Sequence, residues 1–216
     1  FYNEERFIAE AVESILAQND PNLEILAVND GSTDNSAQIV KGHGAKVQLI
    51  EQDNQGTSSA LNHGIRRAEG EFLAFLDADD VWVDDKLAWQ RREMRNNPEL
   101  DVVLGQMQNF LSPDLPDSEK ERLSCPQKPI VGNCPGTMLI RRDSFEKVGS
   151  FSSKWRVGEY LDWFIRARER HLKFAITPRV MMKRRIHRRN KGRLLPEAKI
   201  DYLSIIKESL DRRRNR

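Results

Sequence analysis

The sequence predicts an α/β protein: a Rossmann-like, mostly parallel sheet flanked by helices, with a more irregular second half. Three observations predict it. Apolar runs of strand length alternate three times with helical-period segments between Asn3 and Asp80, the pattern of βαβ crossovers and of a parallel sheet covered by helices. Polar loops at Asp30 and Asp77 leave the ends of two of these runs, on the edge where open sheets of this kind bind ligands. The length, 216 residues, is enough for one domain with a sizeable core.

Each element has its own signal. Asn3 is the expected N-cap of a first helix, with Glu4 and Glu5 in the first turn and Phe7, Ile8, Ala11, Val12, Ile15 and Leu16 at helical spacing. Asn19-Asp20-Pro21 stops it. Leu23 to Val28 reads as a buried strand. A tight polar loop, Asn29 to Asp34, and a short helix through Ile39 and Val40 follow. Val47 to Ile50 is a second strand, Thr57 caps a helix running to Arg67 or Ala68, and Phe72 to Leu76 is a third strand. Beyond Asp80 the pattern is weaker. Lys86 to Asn96, Asp143 to Val148 and Glu159 to His171 read as helices, and Asp101 to Leu104 as a strand. Ser112 to Gln127 is a long loop or lid, Gly132 to Ile140 a loop entering a strand, and Val180 to Ile186 an edge strand. A terminal helix, Glu197 to Arg213, carries Ile200, Leu203, Ile206 and Leu210 on one face. The opening Phe1-Tyr2-Asn3-Glu4 reads as the loop after a strand, so a first strand is expected upstream of Phe1.

Composition narrows the partners only slightly. The net charge of +2 gives the whole molecule no field that selects a partner. Basic residues gather in Lys183-Arg184-Arg185, Arg188-Arg189, Lys191, Arg193 and Arg212-Arg213-Arg214. This run is either a solvated face or a surface for phosphate, an anionic membrane or nucleic acid. Two cysteines, Cys125 and Cys134, are too few for a disulfide framework or a four-ligand zinc site. A reduced pair in the cytoplasm is the expectation, with peripheral contact at the inner membrane face through the basic C-terminus as the further option.

The chemistry lies in Asp77-Ala78-Asp79-Asp80. Three carboxylates in four residues repel one another and persist where something positive sits among them. Aspartate oxygens suit hard cations, Mg²⁺ or Mn²⁺, which bridge diphosphate oxygens. Alone, such a run is as well explained by a solvated turn before the next helix.

It does not stand alone. Tyr2-Asn3-Glu4-Glu5, Asn29-Asp30-Gly31-Ser32-Thr33-Asp34, Asn54-Gln55-Gly56 with Ala60-Leu61-Asn62, and Gly70 through Asp80 follow in an order and spacing that resemble glycosyltransferase family 2. Weaker matches continue through Gly136-Thr137-Met138, Phe145 to Gly149 and Glu159 to Arg166. The resemblance implies the GT-A fold in a single domain over 1–216. Residues 1–104 would be the nucleotide-sugar-binding half, 105–190 the acceptor-side half and 191–216 a basic C-terminal helix. It implies transfer of a sugar, with inversion, from a nucleoside diphosphate sugar, UDP favoured, to an acceptor hydroxyl on a glycan, lipid or protein. It places Tyr2 near the base, Asp30 on the base, Asp77 near the ribose and diphosphate, Asp79 on a divalent metal and Asp80 in support. A late histidine, His187, is implied as a further metal ligand or diphosphate contact. Two departures stand out. Leu61 occupies a position where many members carry arginine. Tyr160 follows Glu159 where an aspartate base is usual, and an unperturbed tyrosine is a poor base at neutral pH. Glu159 and Asp162, three residues apart on one helix face, are the remaining base candidates. The competing readings are a non-catalytic sugar-nucleotide-binding domain and a nucleic-acid-binding module. The second has no recognisable binding motif, so no nucleic acid partner is expected.

Overall fold

The computed structural model describes residues 1–190 and 199–214. The first half follows the alternation in the sequence: α1 (Ile8–Leu16), β1 (Leu26–Asp30), α2 (Ser36–Lys41), β2 (Gln48–Gln52), α3 (Thr57–Arg67) and β3 (Phe72–Ala74). Then come β4 (Val81–Trp82), α4 (Lys86–Asn96), β5 (Val102–Leu111), α5 (Asp117–Lys120), β6 (Ile130–Val131), β7 (Leu139–Arg141), α6 (Arg142–Val148), α7 (Glu159–Glu169), β8 (Phe174–Ile186) and α8 (Lys199–Arg214). The class is α/β, but the sheet is mixed rather than mostly parallel. β1 and β2 pair in parallel, and Phe1 extends that pattern, its nitrogen donating to Val28 O (2.7 Å) and its carbonyl accepting from Asp30 N–H (2.9 Å). The larger sheet runs β3-β7-β5-β8-β4, with β6 also on β5. Within it only β5/β8 is parallel; β3/β7, β5/β7, β4/β8 and β5/β6 are antiparallel.

Several local expectations change. Asn3 does not cap α1; the cap position is Phe7. Asn3 adopts the left-handed region (φ 54°) and its Oδ1 accepts the Thr33 N–H at 2.8 Å. A short amide tolerates that region and bonds locally, so it serves the loop instead. Gly56, not Thr57, is the cap residue of α3. The region 180–186 is not an edge. It is the end of the thirteen-residue β8, which lies between β5 and β4. Its basic residues disguised it: Arg185 is 2% exposed because its guanidinium lies over both Phe7 (4.9 Å) and Phe110 (4.6 Å). Gly105 lets the two long strands meet. A Cβ there would come within 2.2 Å of Met181 Cγ and 3.0 Å of Arg179 O, and the β5/β8 register shifts beside it.

The principal core joins β3, β5 and β7 to α6 and α7 through Leu73, Phe75, Val102, Leu104, Met138, Ile140, Phe145, Phe151 and Trp163. Trp163 is fully buried and stacks on Phe145 at 5.1 Å between ring centroids. Truncating it to alanine would cost about 3–5 kcal/mol. Trp82 and Trp155 are buried as well, so these tryptophans belong to the core. Cys125 and Cys134 are free thiols. α8 docks through Ile205, which is buried, and through Ser209 and Arg212, which bond Glu169. The predicted stripe of Ile200, Leu203, Ile206 and Leu210 faces outward. Glu197, Lys191 and Arg193 lie outside the described residues.

Candidate active site

The site is built at the ends of β1 and β3, against the end of β8 and the start of α7. Apolar β3 leads through buried Phe75 to the acidic turn, closed by the Asp80 N–H on Asp77 O (3.0 Å). Asp77, Asp79 and Asp80 each bring a carboxylate oxygen within 4.8 Å of the others. Asp77 opens to solvent at the base of the cleft. Surrounding protein and the charges of Asp79 and Glu159 nevertheless push its pKa up to about 6. Burial, Asp79 and Asp77 raise Asp80 well above the carboxylate range, although the Arg185 N–H donates to it at 2.9 Å. This is the electrostatic signature of a cluster short of positive charge.

His187 comes to this cluster from the far end of the chain. It is buried, and its Nε2 lies 2.9 Å from Asp79 Oδ2. Asn190 Nδ2 donates to the same oxygen at 3.2 Å, while its Oδ1 accepts the His187 N–H at 2.8 Å. Arg185 Nε donates to Asp79 O at 2.9 Å, and its guanidinium also pairs with Glu10. The three carboxylates form an oxygen donor set that fits Mg²⁺ or Mn²⁺, and the His187 imidazole touches that set at Asp79. One further carboxylate faces it. Glu4 has a buried oxygen, Oε2, with no hydrogen-bond partner, and burial and Asp79 push its pKa up to about 7.

Asp30 is buried at the end of β1. Its Oδ1 accepts from Gln52 Nε2 (2.8 Å) and Gln55 N–H (2.9 Å), and its Oδ2 from Gly56 N–H (2.8 Å). A carboxylate has about four lone-pair sites, so the turn before α3 takes most of this one's capacity. Tyr2 stands beside it with 47% of its surface exposed. On the other wall, Glu159 and Asp162 are both buried in the first turn of α7. They are not equivalent. Asp162 Oδ2 accepts from Arg166 Nε at 2.9 Å, and Arg166 also bonds Val148 O and Ser150 O. Glu159 instead acts on Asp77 and on Tyr160, raising both. The Tyr160 hydroxyl, held in its protonated form chiefly by burial, reaches Asp77 Oδ1 at a long 3.5 Å.

The structure therefore brings Asp77, Asp79, Asp80 and His187 together, with Glu159 and Tyr160 facing Asp77, while Asp30 and Tyr2 stand at the neighbouring strand end. Asp162 is paired with Arg166. The sequence reading missed Glu4, taken as a helix-start acid, and gave Arg185 and Asn190 no individual place.

Comparison with known proteins places the chain in a family. A family model described as glycosyl transferase family 2 matches residues 1–149. An uncharacterized glycosyltransferase of Rickettsia typhi is 31% identical over 201 residues, covering 86% of this chain and 62% of its own length. The poly-beta-1,6-N-acetyl-D-glucosamine synthase of Staphylococcus epidermidis is 38% identical over 108 residues, covering 48% of this chain and 26% of its own. Among solved structures, S. aureus TarS 1–349 in complex with UDP superposes with a TM-score of 0.72 at 21% identity, covering 96% of this chain and 62% of that one. The mannosyltransferase PcManGT of Pyrobaculum calidifontis, in complex with GDP-Man and Mn²⁺, has a TM-score of 0.63 at 20% identity, covering 89% and 56%. At such identities the structures speak for the fold, and the chain spans less than two thirds of these relatives.

Proposed function

The chain belongs to glycosyltransferase family 2 and has its GT-A fold, and on that premise we propose that it transfers a sugar, with inversion, from a nucleoside diphosphate sugar to an acceptor hydroxyl. The observation that carries the proposal is the convergence of Asp77, Asp79, Asp80 and His187 at one strand end. UDP is the favoured nucleotide; a structural neighbour binds it.

Asp79, with His187 and Asp77, would hold the divalent metal, and Asp80 would brace the turn. When bound, Mg²⁺ or Mn²⁺ there supplies the positive charge that lets a nucleoside diphosphate depart. Tyr2 and the free lone pair of Asp30 would receive the base. Glu159 takes the acceptor proton as the acceptor oxygen attacks the anomeric carbon on the face opposite the diphosphate. Asp162 is the weaker base candidate because Arg166 occupies it. The Tyr160 hydroxyl orients Asp77 and transfers no proton. We further propose a cytoplasmic location with peripheral membrane contact through α8, whose exposed Ile200, Leu203, Ile206 and Leu210 adjoin a basic end. Among the described residues no helix is long and apolar enough to cross a membrane.

The test is a thermal-shift panel of UDP-, GDP- and dTDP-sugars with and without Mn²⁺, repeated with Asp79→Ala. Metal-dependent stabilisation by one donor class, lost in the variant, is expected. Metal-dependent donor binding with no donor hydrolysis or transfer to any acceptor would instead favour a non-catalytic binding domain.

A further inference from the structure

A second charged site lies well away from the acidic cleft. Arg92 and Arg95 stand three residues apart on α4, and Arg179 reaches across from β8. The Arg179 guanidinium lies 5.5 Å from the centre of the Trp89 ring. With Asp85 and Ala88 these residues line one shallow cavity of about 330 Å³. Arg179 is six residues before Arg185 on the same strand, hence roughly 20 Å from the acidic cleft at ~3.3 Å per residue.

The cavity is shaped by the irregularity already described. The β5/β8 register shifts after Leu104, where Arg179 O crowds Gly105. Bulges re-aim side chains, and this one presents Arg179 to the indole. The three guanidinium-bearing side chains are exposed. Neighbouring Arg91 pairs with Asp20, yet among the described residues none of Arg92, Arg95 and Arg179 has an ion pair, and the Asp85 carboxylate pairs with none of them. Like charges one turn apart on a helix repel, and a third guanidinium is aimed at the same space. Guanidinium forks match the geometry of phosphate oxygens.

We infer that this cavity is a binding site for a phosphate group, separate from the donor site, with Arg92, Arg95 and Arg179 as the recognising residues and Trp89 fixing Arg179. The phosphate belongs either to a soluble ligand or to a lipid headgroup. Trp89 supplies the readout, because it is half-buried while Trp82, Trp155 and Trp163 are buried.

The experiment titrates the full chain with inorganic phosphate, and separately with vesicles containing phosphatidylglycerol in phosphatidylcholine, following tryptophan emission. A saturable change is expected with one of the two, and the one that saturates names the source. Arg179→Ala and the double variant Arg92→Ala/Arg95→Ala should each weaken it at least tenfold. Trp89→Phe should remove the emission change. UDP binding should stay unchanged in all three, and melting temperature in the two arginine variants, which separates this site from the donor site. Saturation by neither probe would overturn the inference, as would undiminished binding in the arginine variants or an emission change that survives in Trp89→Phe.

Discussion

The two walls of the acidic cleft are made in different ways. The first wall, Asp30 and Asp77 to Asp80, consists of strand ends. Its parts are placed by short segments in which motif and geometry coincide, and the Asp30 carboxylate is gripped by Gln52, Gln55 and Gly56 just downstream. The opposite wall, Glu159, Tyr160 and His187, reaches the same point only through tertiary packing. Tyr160 meets Asp77 across 83 residues of sequence, and His187 meets Asp79 across 108. The lesson is that the first wall can be read from the order of residues, whereas the second exists only once the sheet is assembled.

The comparison can be broken hardest at Asp79. Asp79→Ala should lower transfer by several kcal/mol of barrier, about 10³-fold or more, and abolish Mn²⁺-dependent stabilisation. Retained metal dependence would move the centre of the site elsewhere. The second wall is tested by a pair. Glu159→Gln should lower kcat by ~10²–10⁴-fold. Asp162→Asn should retain most activity but, by loosening the buried pair with Arg166, lower the melting temperature by roughly 6–12 °C, from about 3 kcal/mol. The reverse pattern would exchange their roles. His187→Ala should weaken Mn²⁺ binding by about 10–100-fold, measured by metal titration of the thermal shift. Tyr160→Phe should change kcat/KM less than about tenfold, because a 3.5 Å contact is a weak hydrogen bond.

A separate effect, on stability alone, belongs to a buried lysine behind the first wall. Lys86 lies 4.2 Å from the centre of the Trp82 ring, and its Nζ donates to Gln90 Oε1 (2.8 Å) and Met138 O (3.3 Å). Burial pushes its pKa down to about 7. Between pH 7 and the ordinary lysine pKa, the unfolded chain holds this proton and the folded chain does not, so stability rises with pH through that window. Urea unfolding of Lys86→Met should lose that slope relative to the parent protein. An identical slope in both would assign it to other groups.

Much of the first half was legible for a physical reason. Helix and strand periodicities alternate there, and the loops at Asp30 and Asp77 carry polar residues that a buried strand end rejects. The failures are equally specific. β8 looked like a short edge because Lys183, Arg184 and Arg185 are charged, and nothing local shows that two phenylalanines from α1's approach and β5 enclose Arg185. The parallel content was overestimated because β7 and the end of β8 return antiparallel to neighbours distant in sequence. On α8 the periodic residues Ile200, Leu203, Ile206 and Leu210 were found, but periodicity does not say which side docks; Ile205 and the Glu169 contacts decide that. The pairing of Asp162 with Arg166, by contrast, joins residues four apart on one helix and lay within reach of the sequence.

The grip of Arg185 on Asp79, Asp80 and Glu10 also bears on how the protein is born. A chain leaving the ribosome emerges N-terminus first, at about 5–20 residues per second. Asp77, Asp79 and Asp80 are therefore in the open for several seconds before the strand end that braces them has been translated. The cleft is finished late, so a nascent chain halted short of residue 185 would carry the whole acidic motif and still lack the arginine, histidine and asparagine that organise it.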